Sequence, residues 1–134
     1  MMIFNNTLKT ALITGSTKGV GKEIAKMFLK NNYNVIITGR NINNALNVAD
    51  ELNSNNLNVA KARGYNLDFT NLHKSFNLLN SLENKSIRPS FLINNAGALN
   101  IRNINDISVN SIDTITKINM IGPMILSKYC IDII

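Results

Sequence analysis

Apolar residues follow two alternating rhythms along this chain. Ala11-Leu12-Ile13 and Val35-Ile36-Ile37-Thr38 are short, nearly continuous apolar runs rich in branched residues. That pattern predicts strands buried on both faces. Between them Val20, Ile24, Met27 and Phe28 recur at helical spacing, and Asn31-Asn32 offers a stop. A second helical stripe, Ile42, Leu46, Ala49 and Leu52, ends in the turn-forming run Asn53-Ser54-Asn55-Asn56. Val59 to Tyr65 instead alternates polar with apolar, with Lys61 and Arg63 on one face, which predicts an edge strand. Asn66-Leu67-Asp68-Phe69-Thr70 leads to a third stripe of Leu72, Phe76, Leu79 and Leu82. Pro89 introduces a fourth strand, Phe91-Leu92-Ile93, which runs into Asn94-Asn95-Ala96-Gly97. After a loop carrying Ile101 and Ile104, a long helix is expected from about Ser111. Ile112, Ile115, Ile118, Ile121 and Ile125 form its apolar side.

Strands that alternate with helices predict an α/β protein with a parallel sheet and right-handed crossovers. In the doubly wound order 3-2-1-4 the alternating third strand falls at an edge. Strands one and four then meet at the switch point, where ligands bind beyond the carboxyl ends of the strands. The loops after those two strands carry Gly15 to Gly21 and Asn94 to Gly97, so both should converge on one crevice.

The first of these loops organises the rest. Thr10 to Ala25 reads strand, glycine turn, helix, the context a dinucleotide site requires. Gly15 turns the chain off the strand. Gly19 and Gly21 remove Cβ atoms where a pyrophosphate approaches and where the helix packs on the strand. Free N–H groups at the helix start, with the dipole behind them, supply the phosphate site. Gly15, Ser16, Thr17, Lys18, Gly19, Val20 and Gly21 are the first candidate binding residues.

Composition changes this picture little. There is room in 134 residues for one domain, spanning 1–134. The net charge of +6 comes from 14 Lys plus Arg against only 8 Asp plus Glu, with no block of like charge and no basic stripe interleaved with aromatics. Nucleic acid is therefore not an expected partner. Asn makes up roughly one residue in five and has no repeat period, which fits codon bias better than a functional tract. The single Cys130 cannot form an internal disulfide and suits a core-filling role in a reducing compartment. The N-terminal Met1-Met2-Ile3-Phe4-Asn5-Asn6 lacks the basic flank and apolar run of a signal peptide, and no window suits a membrane span. A cytoplasmic protein without a membrane partner or metal site is expected. His73 has no ligand-spaced partner.

Arg40 discriminates between dinucleotides. It lies about 20 residues beyond the glycine loop, where an acid would hold the ribose hydroxyls of NAD. No Asp or Glu occurs between Glu23 and Asp50. Arg40 and Lys18 offer a planar fork and a point charge to a 2′-phosphate, or else are two solvated surface cations. Asp68, after the third strand, fits a helix cap or turn on its own chemistry. Pro123 lacks an N–H, so the carbonyl of Asn119, four residues earlier, should lose its helical partner at a kink.

The spacing T-G-x-x-x-G-x-G resembles the N-terminal half of the short-chain dehydrogenase/reductase family. Asn94-Asn95-Ala96-Gly97 resembles that family's N-N-A-G motif, and Ile118-Asn119-Met120-Ile121-Gly122 its (V/I)-N-x-x-G helix segment. The resemblance implies a Rossmann-like fold and the cofactor NADP(H), since the family's signature for it is a basic residue before the second glycine or just after the second strand. It implies that Asp68 accepts from the adenine amino group and that Asn95, Ala96 and Gly97 border the cofactor. Asn119 matches one member of a catalytic tetrad. The family's Ser and Tyr-x-x-x-Lys pair follow a fifth strand. Here Tyr33, Tyr65 and Tyr129 are followed four positions on by Ile37, Phe69 and Ile133, never by Lys.

The expectation is therefore a doubly wound sheet truncated after about four strands and a further helix. It would descend from an oxidoreductase and be inactive alone, lacking an acid worth roughly 10²–10⁴-fold in rate. A non-catalytic NADP(H)-binding module and an interaction partner of a complete relative are the alternatives. Strand Phe91-Leu92-Ile93 would be left as an open edge beside a sparsely charged last helix, both suited to a homo- or hetero-oligomer.

Overall fold

The computed structural model describes residues 4–100 and 102–133, without the side chains of Lys74 and Ile133. Met1 to Ile3, Ile101 and Ile134 lie outside the described residues. Four strands are present: β1 (Thr10–Ile13), β2 (Asn34–Gly39), β3 (Ala62–Asn66) and β4 (Phe91–Ile93). Helices α1 (Gly19–Lys30), α2 (Ile42–Ser54) and α3 (Leu72–Asn84) connect them. After β4 come a 3₁₀ turn at Ile104–Asp106, helix α4 (Val109–Thr116), a π-helical turn at Lys117–Ile121, and helix α5 (Gly122–Ile133).

The sheet is parallel throughout, in the expected order β3-β2-β1-β4. In register, Ile13 lies between Ile37 of β2 and Ile93 of β4. Every residue of β1 and β2 is buried. One layer sets Ala11, Ile13, Val35 and Ile37 against Ala25 and Leu29 of α1 and Ala45, Val48 and Leu52 of α2. The opposite layer sets Leu12 and Ile36 against Leu78 and Leu82 of α3 and Leu126 and Cys130 of α5. Complete burial of such side chains stabilises by about 1.5–3 kcal/mol each. No helix among the described residues is long and apolar enough to cross a membrane.

The helices are where expected, but several face differently. In α1 the buried residues are Gly21, Ala25 and Leu29, while Val20 is 70% exposed and Met27 64%. In α2 the core side is Ala45, Val48, Ala49 and Leu52, and both Ile42 and Leu46 are exposed. The cause is close packing. A helix that lies tightly on a sheet turns its smallest residues inward, so a stripe drawn through the largest apolar residues is rotated from the true one.

The last helix departs most. It starts at Val109, where Ser108 and Ser111 form a reciprocal capping box, rather than near Ser111. Instead of a simple kink at Pro123, a π turn precedes the proline, and the Gly122 N–H reaches five residues back to the Lys117 carbonyl. The extra residue shifts the phase. Leu126 and Cys130 become the buried positions, and Ile112 is 54% exposed. The β3 strand is also shorter than expected. Val59 is exposed, and the buried Asn53 side chain donates to the Ala62 carbonyl (2.9 Å) and accepts from its N–H (2.8 Å). That amide supplies the pairing a missing neighbouring strand would have given.

Candidate functional site

A cleft of about 960 Å³ opens beyond the carboxyl ends of β1, β2 and β4. Its walls come from the loop after β1, the end of β2, the segment after β3 and the loop after β4. The fold brings these together because all four parallel strands point the same way and reverse order between β1 and β4.

The glycine loop has little freedom. Gly15 has φ +62°, and a Cβ there would sit 2.9 Å from Ala96 Cα, so the loops after β1 and β4 touch backbone to backbone. At Gly21 a Cβ would collide with Asn95 Nδ2 and the Gly15 carbonyl oxygen. The two loops are then tied by hydrogen bonds. Thr14 Oγ1, fully buried, accepts from the N–H groups of Asn95 (3.0 Å) and Ala96 (2.9 Å). Asn95 Nδ2 donates to the carbonyls of Thr14 (3.0 Å) and Gly15 (3.1 Å). Asn94 turns the other way, to the Ser127 hydroxyl on α5 (3.1 Å).

Gly15, Thr17, Lys18, Gly19, Val20, Arg40, Asp68, Asn95, Ala96 and Gly97 all border the cleft. Ser16 does not, because its side chain is buried beneath the loop. Gly21 lies buried one step behind the lining. Lys18 and Arg40 are exposed cations on the cleft wall, one on each of two segments that meet where the Thr17 methyl packs against Gly39. Asp68 spends one carboxylate oxygen on its own turn, accepting from the Thr70 N–H (3.0 Å) and hydroxyl (2.7 Å). The first turn of α1, from Gly19, presents backbone N–H groups without helical acceptors to the same space. A smaller hollow of about 600 Å³ shares Arg40 and Asn41 with the main cleft.

Asn119 lies in the π turn outside the lining of the cleft. Its side chain pairs with the backbone of the loop after β4: Oδ1 accepts from the Ala98 N–H (2.7 Å) and Nδ2 donates to the Ala98 carbonyl (2.8 Å). This bidentate clasp fastens the helical arm to the Asn94–Gly97 loop, with Gly97 3.6 Å from Asn119 Oδ1 if it carried a Cβ.

Sequence reasoning missed Gly39, Asn41, Asn44, Leu67, Phe69, Ala98, Leu99 and Ile118, which complete the walls. Their only signal was position: all but Ile118 lie between the last residue of a strand and six residues beyond it, and Ile118 is on the motif-bearing helix. It also missed the buried hydroxyls of Thr14 and Thr38, and it set Ser16 among the binding residues where the structure buries its hydroxyl beneath the loop. A Thr or Ser flanking a glycine turn in an otherwise apolar strand end was the available clue.

The family model described as short chain dehydrogenase matches residues 9–134. A short chain dehydrogenase/reductase of Gibberella zeae is 32% identical over 124 residues, 92% of this chain and 44% of the relative. L-sorbose reductase of Gluconobacter frateurii, solved with NADPH and L-sorbose, superposes with a TM-score of 0.85 at 19% identity, over 93% of this chain and 47% of the other. A 4-hydroxyisoleucine dehydrogenase solved with NADH gives a TM-score of 0.78 at 26% identity, over 91% and 47%. The chain thus spans a little under half the length of these proteins.

Proposed function

The chain belongs to the short-chain dehydrogenase family, and from that premise we propose that residues 1–134 form one NADP(H)-binding domain of an oxidoreductase. The observation that carries the choice of dinucleotide is the pair Lys18 and Arg40 on the cleft wall, with no acid at the end of β2. An acid there would hold ribose hydroxyls, whereas two cations suit a 2′-phosphate. The chain's own geometry fits the group. Gly19 has open space where a Cβ would stand on the cleft wall, Gly21 lets α1 pack against Asn95 and the Gly15 carbonyl, Gly15 holds the left-handed turn, and the start of α1 offers N–H groups to a pyrophosphate. Asp68 keeps one carboxylate oxygen for the adenine amino group, while Ala96 and Gly97 leave room for the nicotinamide ribose. NADP(H), when bound, supplies hydride exchange.

These residues alone are proposed to bind cofactor without turning it over, since no Tyr-x-x-x-Lys occurs among them. Cytoplasmic residence, with the lone Cys130 reduced, accords with this reading. Isothermal titration tests it. NADPH is expected to bind at least about tenfold more tightly than NADH, one charge-assisted contact being worth roughly 1.5–3 kcal/mol. Arg40→Asp is expected to abolish the preference. Equal affinities in the wild type would reject the assignment, and sustained NADPH oxidation with a panel of aldehydes, ketones and quinones would reject the non-catalytic part.

A second reading, association through the segment after β4, is favoured by a specific observation. Ile104, Val109, Ile112, Met120, Met124 and Ile131, all from the segment after β4, are exposed, and β4 itself stands at an edge of the sheet. We propose that this band and the β4 edge pair with a second copy or with a complete relative. Sedimentation at micromolar concentration, with and without NADPH, is expected to show oligomers. A well-behaved monomer with a cooperative melt would refute it.

A further inference from the structure

Two buried hydroxyls beneath the glycine loop touch no part of the cleft, and the site as described leaves them without a purpose. Ser16 and Thr38 are both fully buried. The β1–β2 ladder ends at Ile13 paired with Ile37, and beyond it these two side chains take over. Ser16 Oγ donates to the Ile13 carbonyl (2.8 Å) and accepts from the Thr38 N–H (2.9 Å). Thr38 Oγ1 donates to the same carbonyl (3.0 Å) and accepts from the Gly15 N–H (3.3 Å). The Ser16 N–H completes the set by donating to the Thr38 carbonyl (3.0 Å). Four of these five hydrogen bonds join the two segments, and the fifth braces the first within itself, at the point where the chain leaves β1 while β2 still pairs with β3. Inside a dry core such a closed set holds its geometry, because breaking any member strands a buried donor or acceptor.

What the knot joins gives its consequence. Lys18 follows Ser16 by two residues, and Arg40 follows Thr38 by two. We propose that Ser16 and Thr38 are positioning residues that fix the separation of Lys18 and Arg40, and thereby set the preference of the cleft for a phosphorylated dinucleotide. The proposal rests on the NADP(H) reading above. A pyrophosphate is held by N–H groups of one segment, the start of α1, which moves as a unit. A 2′-phosphate held by both Lys18 and Arg40 must bridge two segments. Slack between the segments therefore costs the bridging ligand and largely spares the other, since preorganisation matters only where two anchors act together.

The test is a comparison of NADPH and NADH titrations on wild type, Ser16→Ala, Thr38→Val and Thr38→Ser. Thr38→Val keeps the side-chain shape and removes the hydroxyl. Thr38→Ser keeps the hydroxyl and serves as the conservative rescue. In Ser16→Ala and Thr38→Val the NADPH-to-NADH affinity ratio is expected to fall about tenfold, mainly through weaker NADPH binding, as for loss of a buried hydrogen bond. Thr38→Ser is expected to keep most of it. The ratio is read within one preparation, so a partly unfolded fraction leaves it unchanged. If Thr38→Val gives no cooperative melt, Ser16→Ala carries the decision. A wild-type preference that survives in the folded variants overturns this proposal alone. A wild type with no preference overturns the cofactor reading, and this proposal with it.

Discussion

Val35, Ile36 and Ile37 of β2 and Ile112, Ile115 and Ile118 near the other end of the chain are equally apolar, yet they meet different surroundings. The strand residues are fully buried between α1 and α2 on one side and α3 and α5 on the other. Ile112 is more than half exposed, and Ile115 and Ile118 are only partly covered. Among the described residues β2 has hydrogen-bonded neighbours on both sides, β1 and β3, whereas β4 has β1 alone. Apolar composition is therefore not what buries a residue here. Burial follows from having packed elements on every side, which β1 and β2 have and which α4 lacks among the described residues.

The largest test of that contrast uses one truncation at two places. Ile36→Ala is expected to cost about 2–5 kcal/mol in urea unfolding, the range for a buried isoleucine that leaves a cavity. Ile112→Ala is expected to change stability by no more than about 0.5 kcal/mol in the monomer, at protein concentrations too low for assembly. Equal costs would mean that the α4 surface is covered in solution. Repeating the melt of Ile112→Ala at a tenfold different protein concentration would show whether another copy covers it.

The same contrast explains how much the sequence revealed. Element order, the parallel sheet and the meeting of the two glycine-bearing loops were legible, because strand, turn and helix each leave a local trace in Ala11–Ile13, Gly15 and Asn94–Gly97. Facing was less legible. Gly21, Ala25 and Ala45 turned inward because a tight helix–sheet contact excludes bulk, a property of the partner surface and not of the helix itself. The π turn at Lys117–Ile121 was announced only by Pro123, and a proline announces a break without specifying its form. Asn was read as background, yet the Asn53 and Asn34 amides are buried and close backbone pairing on Ala62 and Lys61. Composition conceals such roles because any Asn looks alike until its neighbour is known.

A smaller effect comes from the one place where the terminal helix does reach the core. Cys130 is buried on α5, and burial pushes its thiol up from 9.0 to about 11. The unfolded thiol ionises first. Its contribution to stability is therefore complete below pH 9 and is lost as pH rises through about 11. Wild type is expected to lose stability more steeply than Cys130→Ala between those values, with the two slopes alike below pH 8. Identical slopes throughout would show that the end of α5 opens to solvent and that the contrast between the two regions extends through the whole arm.

The smallest effect separates the regions by their surface charges. Lys22 of α1 and Glu51 of α2 lie 2.7 Å apart, and Lys117 and Asp113 form an equally short i,i+4 pair along the last helices. The first pair links two helices that already pack on the sheet, while the second links neighbours on one helix. Lys22 donates a hydrogen bond that holds the Glu51 carboxyl below its usual 4.5, against some desolvation. The stabilisation it carries is present above about pH 4.5 and lost as pH falls below it. Lys22→Met is expected to lower the melting midpoint slightly at pH 7 and hardly at all at pH 3. Lys117→Met is expected to cost no more than about 0.3–0.5 kcal/mol. Both differences should fade in 1 M salt, where the screening length falls to about 3 Å. A Lys117→Met effect as large as that of Ile36→Ala would contradict the contrast, since it would mean that the terminal arm is held by its charges rather than merely decorated by them.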